Sequence, residues 1–411
     1  MSHALSNHVI ASRRHADRDT GLGNGRFMLK ALIGSGSFGQ IFRARDTWQN
    51  KDVAVKIESR SARAPQLAFE WRIYRAIHKR CQTQLGERPA AISGGVFCVS
   101  PQGSTHQEAI NDAPLRSSSG ESPSIDPLLI AHERSTAMGV SGFPEVYWYG
   151  CEGESNAMAM ELCGPNLETL FNYCLRRFTD STIGNLALQM LSRVEELHGS
   201  GYMHRDIKPE NFVFGTQQKS FTLMLLDFGL SKKYVGAEGQ HIPFRGGKSL
   251  TGTARYCSTN AHDGYELSRR DDLESIGYIL VYFCKGSLPW QGLVVADSQA
   301  KTRKIGEMKK STPIERLCSG ALPELTEYMR YVRKLGFSDD PDYARLRALF
   351  GRLQHSPPEF QYDWVMKRTA ECQDDERRKT SASSSHISGG GRSVAQLGSS
   401  LGSSLCGTRL S

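Results

Sequence analysis

One stretch of this chain constrains its fold more than any other: His204-Arg205-Asp206-Ile207-Lys208-Pro209-Glu210-Asn211, followed by Asp227-Phe228-Gly229. It sets a carboxylate able to accept a hydroxyl proton two residues before an ammonium. An asparagine and a second aspartate follow, whose oxygens suit a hard divalent cation. Each piece is a weak pattern alone. In this order and spacing, with a glycine loop and a lysine upstream, chance is a poor explanation. Strand patterns precede the stretch and helical patterns follow it, which predicts two lobes with a cleft at their join.

Residues 1–25 read as a flexible segment. Strands are predicted at Arg26–Lys30, Ile41–Ala44 and Val53–Ile57, from β-branched and alternating residues. Gln66–Lys79 reads as a helix, with Phe69, Ile73 and Ile77 every fourth residue. Cys81 to about Met138 has little periodicity and reads as a mobile insertion, with a short strand at Gly94–Val99 inside it. Ala157–Met160 reads as a buried strand. Thr182–His198 and Leu273–Cys284 are the clearest helices. The first lobe is thus expected at 26–161, with the insertion at about 81–138, and the second at 162–368. Residues 369–411 read as a Ser/Gly-rich disordered tail. Asp374-Asp375-Glu376 in it precede Thr380, Ser381 and Ser383 to Ser385.

Bulk properties exclude several classes. The 411 residues can bury a large core, and 39% hydrophobic with 23% charged residues is ordinary for a globular protein. No apolar run approaches the roughly 20 residues of a membrane helix. Met1 to Asp19 lacks the apolar centre of a secretory signal, so a cytoplasmic or nuclear setting is expected. The ten cysteines include no Cys-x-x-Cys pair, which argues against a zinc site and a disulfide framework. Cys406 alone is a poor lipid anchor. The net charge of +8 stands beside no nucleic-acid-binding motif. It fits acidic or phosphorylated protein partners. No nucleic acid and no integral membrane segment are expected, and a monomer is.

Gly34-Ser35-Gly36-Ser37-Phe38-Gly39 lies between two predicted strands, where glycines let backbone N–H groups approach phosphates. A strand, not a helix, follows the loop, which disfavours a dinucleotide fold, and no Walker lysine ends it. Lys56 sits in an apolar strand, where an ammonium needs a partner. Glu70, on the next helix, is the candidate. Asp206 is the candidate base, Lys208 the group that neutralises the moving phosphoryl oxygens, and Asn211 and Asp227 the magnesium ligands. His204 is assigned a structural hydrogen bond near Asp227.

These residues resemble the casein kinase 1 family of eukaryotic serine/threonine protein kinases. The similarity is carried by Lys208–Phe212, Leu226–Tyr234 and above all Leu250-Thr251-Gly252-Thr253-Ala254-Arg255-Tyr256-Cys257-Ser258. Ser258-Thr259-Asn260 stands where most kinases carry Ala-Pro-Glu. Ser268–Ser275, Gly286–Leu293 and Asp339–Tyr343 also match. The resemblance implies an α+β bilobal kinase fold, with an antiparallel N-lobe sheet, one main N-lobe helix and a mostly helical C-lobe. It implies ATP with Mg²⁺. The adenine pocket would be Ile33, Ile41, Ala54, the gatekeeper Met160, Glu161 and Leu162 at the hinge, Val213 and Leu226. Asp272 would brace the catalytic loop.

The resemblance further implies acidic or phospho-primed Ser/Thr substrates. Arg255, Lys301 and the Gly292 backbone match one anion site. Arg205, Lys232 and Lys248 match another. Thr251 and Thr253 are the nearest phosphate acceptors, and activity without their phosphorylation is expected. Phosphorylation of the tail by the enzyme itself would load the anion sites and inhibit it. The alternative function is a catalytically silent kinase-fold scaffold.

Overall fold

A computed structural model describes residues 21–36, 39–86, 142–353 and 362–385. Ser37, Phe38, the strand expected at Gly94–Val99 and nearly all of the insertion lie outside the described residues. The chain divides into two compact units, Met1–Gln361 and Tyr362–Ser411.

In the first unit, β1 (Phe27–Gly36), β2 (Gly39–Asp46) and β3 (Lys51–Ser59) form an antiparallel meander. The helix α1 (Leu67–Gly86) follows, then β4 (Val146–Glu152) and β5 (Ser155–Glu161). The sheet order is β1-β2-β3-β5-β4, so β3 is central. Phe27, Ala44, Val53, Val55, Ala157 and Ala159 form one apolar cluster with Leu22, on the face opposite Lys56. Leu22 pairs with Phe27 across a glycine turn, and the Gly23 amide donates to Glu152 Oε1 at 2.7 Å. The end of the segment expected to be flexible, Gly21–Gly25, is therefore a fixed turn.

Helices dominate after β5. These are α2 (Leu167–Tyr173), α3 (Asp180–Gly199), α4 (Thr259–His262), α5 (Arg269–Lys285), α6 (Ser298–Ser311), α7 (Ile314–Cys318), α8 (Glu324–Val332) and α9 (Tyr343–Phe350). Between α3 and α4 run the short strands β6 (Tyr202–Met203), β7 (Phe212–Phe214), β8 (Leu223–Leu225) and β9 (Lys232–Lys233). Thr179 caps α3 by accepting the Thr182 amide, and Ser268 with Asp271 forms a capping box on α5. Leu273 and Ile276 to Phe283 are buried along α5, which explains its unbroken apolar pattern. Phe171, Phe178, Tyr282 and Phe283 join α2, the segment leading into α3, and α5 through ring contacts of 4.9–5.8 Å.

Two boundaries differ from the sequence expectation. The helix read to Lys79 continues to Gly86, so Cys81 to Gly86 belong to α1 and not to the insertion. In the second unit, α10 (Asp363–Ser385) runs through the point where a disordered tail was expected to begin at 369. Residues such as Met366, Lys367, Arg368, Ala370, Glu371 and Arg377 are good helix formers, and Lys367 pairs with Glu371 one turn on, at 3.8 Å. The serines that suggest a tail lie at the end of this helix and beyond it. No helix among the described residues is long and apolar enough to cross a membrane.

Candidate active site

Lys56 is 8% exposed in β3, and Glu70 is 2% exposed in the first turn of α1. The Lys56 ammonium donates to Glu70 Oε2 at 2.7 Å and to Asp227 Oδ1 at 3.0 Å. Burial works against its charge, but Glu70 and then Asp227 raise its pKa above the ordinary lysine value. Burial also pushes Asp227 upward, and Lys56 outweighs it, holding Asp227 below the usual carboxylate range. Full burial pushes Glu70 up while the same ammonium pulls it down. Its short contact with a lysine held protonated keeps the two as an ion pair. The sequence pairing of Lys56 with Glu70 is present in the structure, and Asp227 completes it.

The His204–Asn211 stretch is held by Asp272, in the first turn of α5. Its carboxylate accepts the His204 amide at 2.7 Å and the Arg205 amide at 2.8 Å, and lies 2.8 Å from His198 Nε2. His198 and the His204 amide outweigh burial and keep the Asp272 pKa low. This brace holds Arg205 at φ 68°, a left-handed conformation uncommon outside glycine. His204 donates through Nε2 to the Leu226 carbonyl at 2.9 Å, as expected of a structural histidine. Phe228 is fully buried against Tyr74, Phe143 and His204. With it, Asp227 turns toward Lys56 at φ 66°.

Asp206 is 7% exposed. Its Oδ2 accepts from Lys208 Nζ at 2.6 Å, and its Oδ1 accepts from the amide and hydroxyl of Thr253, both at 2.8 Å. Sequence reasoning names Thr253 only as a phosphate acceptor; here it clamps Asp206. Gly252 makes the approach possible. Its φ is +88°, and a Cβ there would sit 2.4 Å from the Arg205 carbonyl oxygen. Asn211 Nδ2 donates to the Asp206 carbonyl at 2.9 Å, which leaves Asn211 Oδ1 and the second Asp227 oxygen for a cation. That donor set, all oxygen with one carboxylate, fits magnesium, which takes its remaining ligands from phosphates and water.

Above them, β1 and β2 pair Gly34 with Ile41, Ser35 with Gln40 and Gly36 with Gly39. Gly39 has φ +133°, and a Cβ would strike the Ile57 carbonyl oxygen at 2.1 Å. Gly36 has open space on its Cβ side. Ala54 faces Met160 across β3 and β5, both buried, and Val213 is buried in β7. Leu226 is half-buried and donates its amide to the Asn211 carbonyl. Glu161 ends β5 and pairs with Lys219 at 2.8 Å, while Leu162 follows with its carbonyl near Thr216. Ile33 is half exposed at the end of β1.

Of the two expected anion sites, one is assembled. Arg205, Lys232 and Lys248 line a cavity of about 210 Å³. Sequence reasoning missed Glu266, which lines it too and is 4% exposed. Glu266 takes Lys232 at 2.7 Å and Lys248 at 3.5 Å. Burial alone would raise its pKa; the two lysines hold it low. Arg255, Gly292 and Lys301 do not line this cavity. Arg255 lies against Tyr256, its guanidinium 5.6 Å from the ring centre, Gly292 is exposed in a loop at φ +73°, and Lys301 is exposed on α6.

Residues 145–334 match the model of the protein kinase domain. The glycine turn, Lys56 and Glu70 precede that span, and the 3.0 Å contact from Lys56 to Asp227 ties them to it. With an antiparallel sheet leading into a helical region and the Lys56 and Asp227 groups meeting at their join, the α+β fold is that of a protein kinase domain, matched directly over residues 145–334.

Proposed function

We propose that the chain is an ATP-dependent serine/threonine protein kinase of casein kinase 1 type, acting on acidic or phospho-primed sequences. The Lys56–Glu70–Asp227 contacts carry this reading, because they bring an ammonium suited to phosphate within 3.0 Å of a carboxylate suited to a cation. Lys56 would grip the α- and β-phosphates of the nucleotide. Asp206, oriented by Thr253, accepts the proton of the incoming hydroxyl late in transfer. Lys208 neutralises charge on the transferred phosphoryl oxygens, which is where electrostatic stabilisation acts most strongly. Asn211 and Asp227 would hold Mg²⁺, which when bound supplies charge neutralisation across the phosphates.

The substrate preference rests on charge and on the resemblance. The Arg205–Lys232–Lys248 cavity suits a phosphate, and Glu266 already occupies two of its ammoniums. An incoming anion therefore has to share them with a buried carboxylate. Arg255 and Lys301 would supply a second basic surface on the resemblance alone. The test is transfer of radiolabel from γ-labelled ATP to a paired set of peptides, one with phosphoserine three residues before the target serine and one acidic but unprimed. Arg255→Ala with Lys301→Ala is expected to weaken use of the primed peptide about tenfold more than the unprimed one, the scale of one charge-assisted phosphate contact. Equal losses on both peptides would remove the docking role. Asp206→Asn serves as the inactive control.

A further inference from the structure

Lys309 in α6 is fully buried. Its ammonium donates to the Ala254 carbonyl at 2.9 Å and the Cys257 carbonyl at 2.5 Å. It lies over the rings of Tyr278 at 4.7 Å and Trp290 at 5.2 Å. The carboxylate that faces it, Glu274, is engaged by the Tyr278 hydroxyl at 2.6 Å, by Arg333 at 3.4 Å and by the Thr259 amide at 3.2 Å. A buried ammonium whose cage is built of carbonyls and ring faces is costly for the fold. The cage holds one turn of chain. Trp290 Nε1 donates to the Arg255 carbonyl at 2.8 Å, and the Tyr256 and Cys257 amides both donate to the Thr253 carbonyl at 2.9 Å. Thr253 in turn clamps Asp206.

We propose that Lys309 is a positioning residue for phosphoryl transfer: its charged ammonium pins the Ala254–Cys257 turn, and through Thr253 that turn fixes the orientation of the Asp206 carboxylate. The inference rests on the phosphotransferase reading above. Burial pulls the Lys309 pKa down to about 8, with Cys257 and Glu274 opposing and Arg333 assisting. Cys257, His262 and Tyr278 titrate far from that value. Burial pushes the Cys257 thiol up to about 11, burial and Lys309 push His262 down to about 4, and burial keeps the Tyr278 hydroxyl protonated well above its usual range. Deprotonation of Lys309 removes the charge from both carbonyl contacts and both ring faces. Turnover then falls as pH rises through about 8, while ATP binding is unaffected.

The experiment compares wild type with Lys309→Met over pH 6.5–9.5, measuring kcat and the KM values for peptide and for ATP, with trypsin cleavage after Arg255 at pH 7.5 alongside. In wild type, kcat is expected to fall about tenfold above pH 8, with the KM for ATP unchanged within twofold. Lys309→Met is expected to show the low kcat at every pH, no alkaline limb and faster cleavage after Arg255. Lys309→Arg is expected to restore part of kcat at pH 9. A flat wild-type profile to pH 9.5 overturns the proposal, and that arm needs no variant to fold. So does a variant with wild-type kcat and wild-type cleavage. A wild-type protein inert at every pH overturns the phosphotransferase reading and this inference with it, whereas an active protein with a flat profile overturns only the inference.

Discussion

Two buried lysines in this chain have opposite surroundings. Lys56 meets the carboxylates of Glu70 and Asp227, and its pKa rises. Lys309 meets two backbone carbonyls and two aromatic faces, and its pKa falls to about 8. Burial penalises the charge in both places; the partner decides the outcome. Full opposite charges fix Lys56 as a permanent cation, suited to gripping phosphate at any physiological pH. With only dipoles in direct contact and Glu274 further off, Lys309 stays near its titration point, suited to holding a segment of chain in one arrangement and releasing it. The difference shows that burial of a lysine does not state its role until its acceptors are named.

The largest test of the contrast is Lys56→Met. It is expected to lower kcat by about 10³-fold, because it removes a charge placed on the reacting phosphates. Transfer assays with γ-labelled ATP measure it, and a variant within tenfold of wild type would break the assignment of Lys56 to the nucleotide. A second test is thermodynamic and separates the two lysines by sign. Between pH 8 and 10.5 the unfolded chain keeps the proton that folded Lys309 has released, so this group's contribution to stability rises with pH, by up to about 3 kcal/mol. Lys56 behaves in the opposite sense: its stabilisation is full below pH 10.5 and is lost only as pH climbs toward its raised folded pKa. Urea unfolding of wild type and Lys309→Met from pH 7.5 to 10 reads the first effect. The variant's stability relative to wild type is expected to shrink as pH rises, and a constant difference would contradict the cage. Gly252→Ala is the smallest change. Strain at φ +88° and the approach to the Arg205 carbonyl are expected to cost about 1–3 kcal/mol and to loosen the Thr253 clamp, lowering kcat more than it raises the peptide KM. Unchanged thermal stability in that variant would show that the turn can relax.

What sequence reasoning reached, and what it did not, follows from the range of the contacts. Asp206, Lys208 and Asn211 lie within six residues of one another, so their chemistry is readable as a string. Lys56 stands out because it interrupts an apolar strand, and Glu70 because it borders the apolar stripe of the next helix. His204 is legible because it opens the same string, whereas Asp272, 68 residues from the His204 amide it accepts, is reached only through the family resemblance. Lys309 gave no such sign. It is one of several lysines in Ser298–Ser311, a strongly polar helix, and only the packing of Ala254 and Cys257 against that helix buries it. Glu266 was missed for the same reason: nothing local marks a glutamate whose two lysines lie 34 and 18 residues before it. The extent of α10 was hidden by the serines at its end, which drew the boundary toward the helix start.

The central claim is that the Lys56–Glu70–Asp227 contacts and the clamped Asp206 form one phosphoryl-transfer site. Incubation of the full chain with γ-labelled ATP, Mg²⁺ and casein, followed by acid hydrolysis and phosphoamino-acid separation, tests it most directly. The account predicts label on phosphoserine or phosphothreonine with wild type and none above background with Asp206→Asn. Absence of label from wild-type reactions, or equal label from the variant, would contradict it.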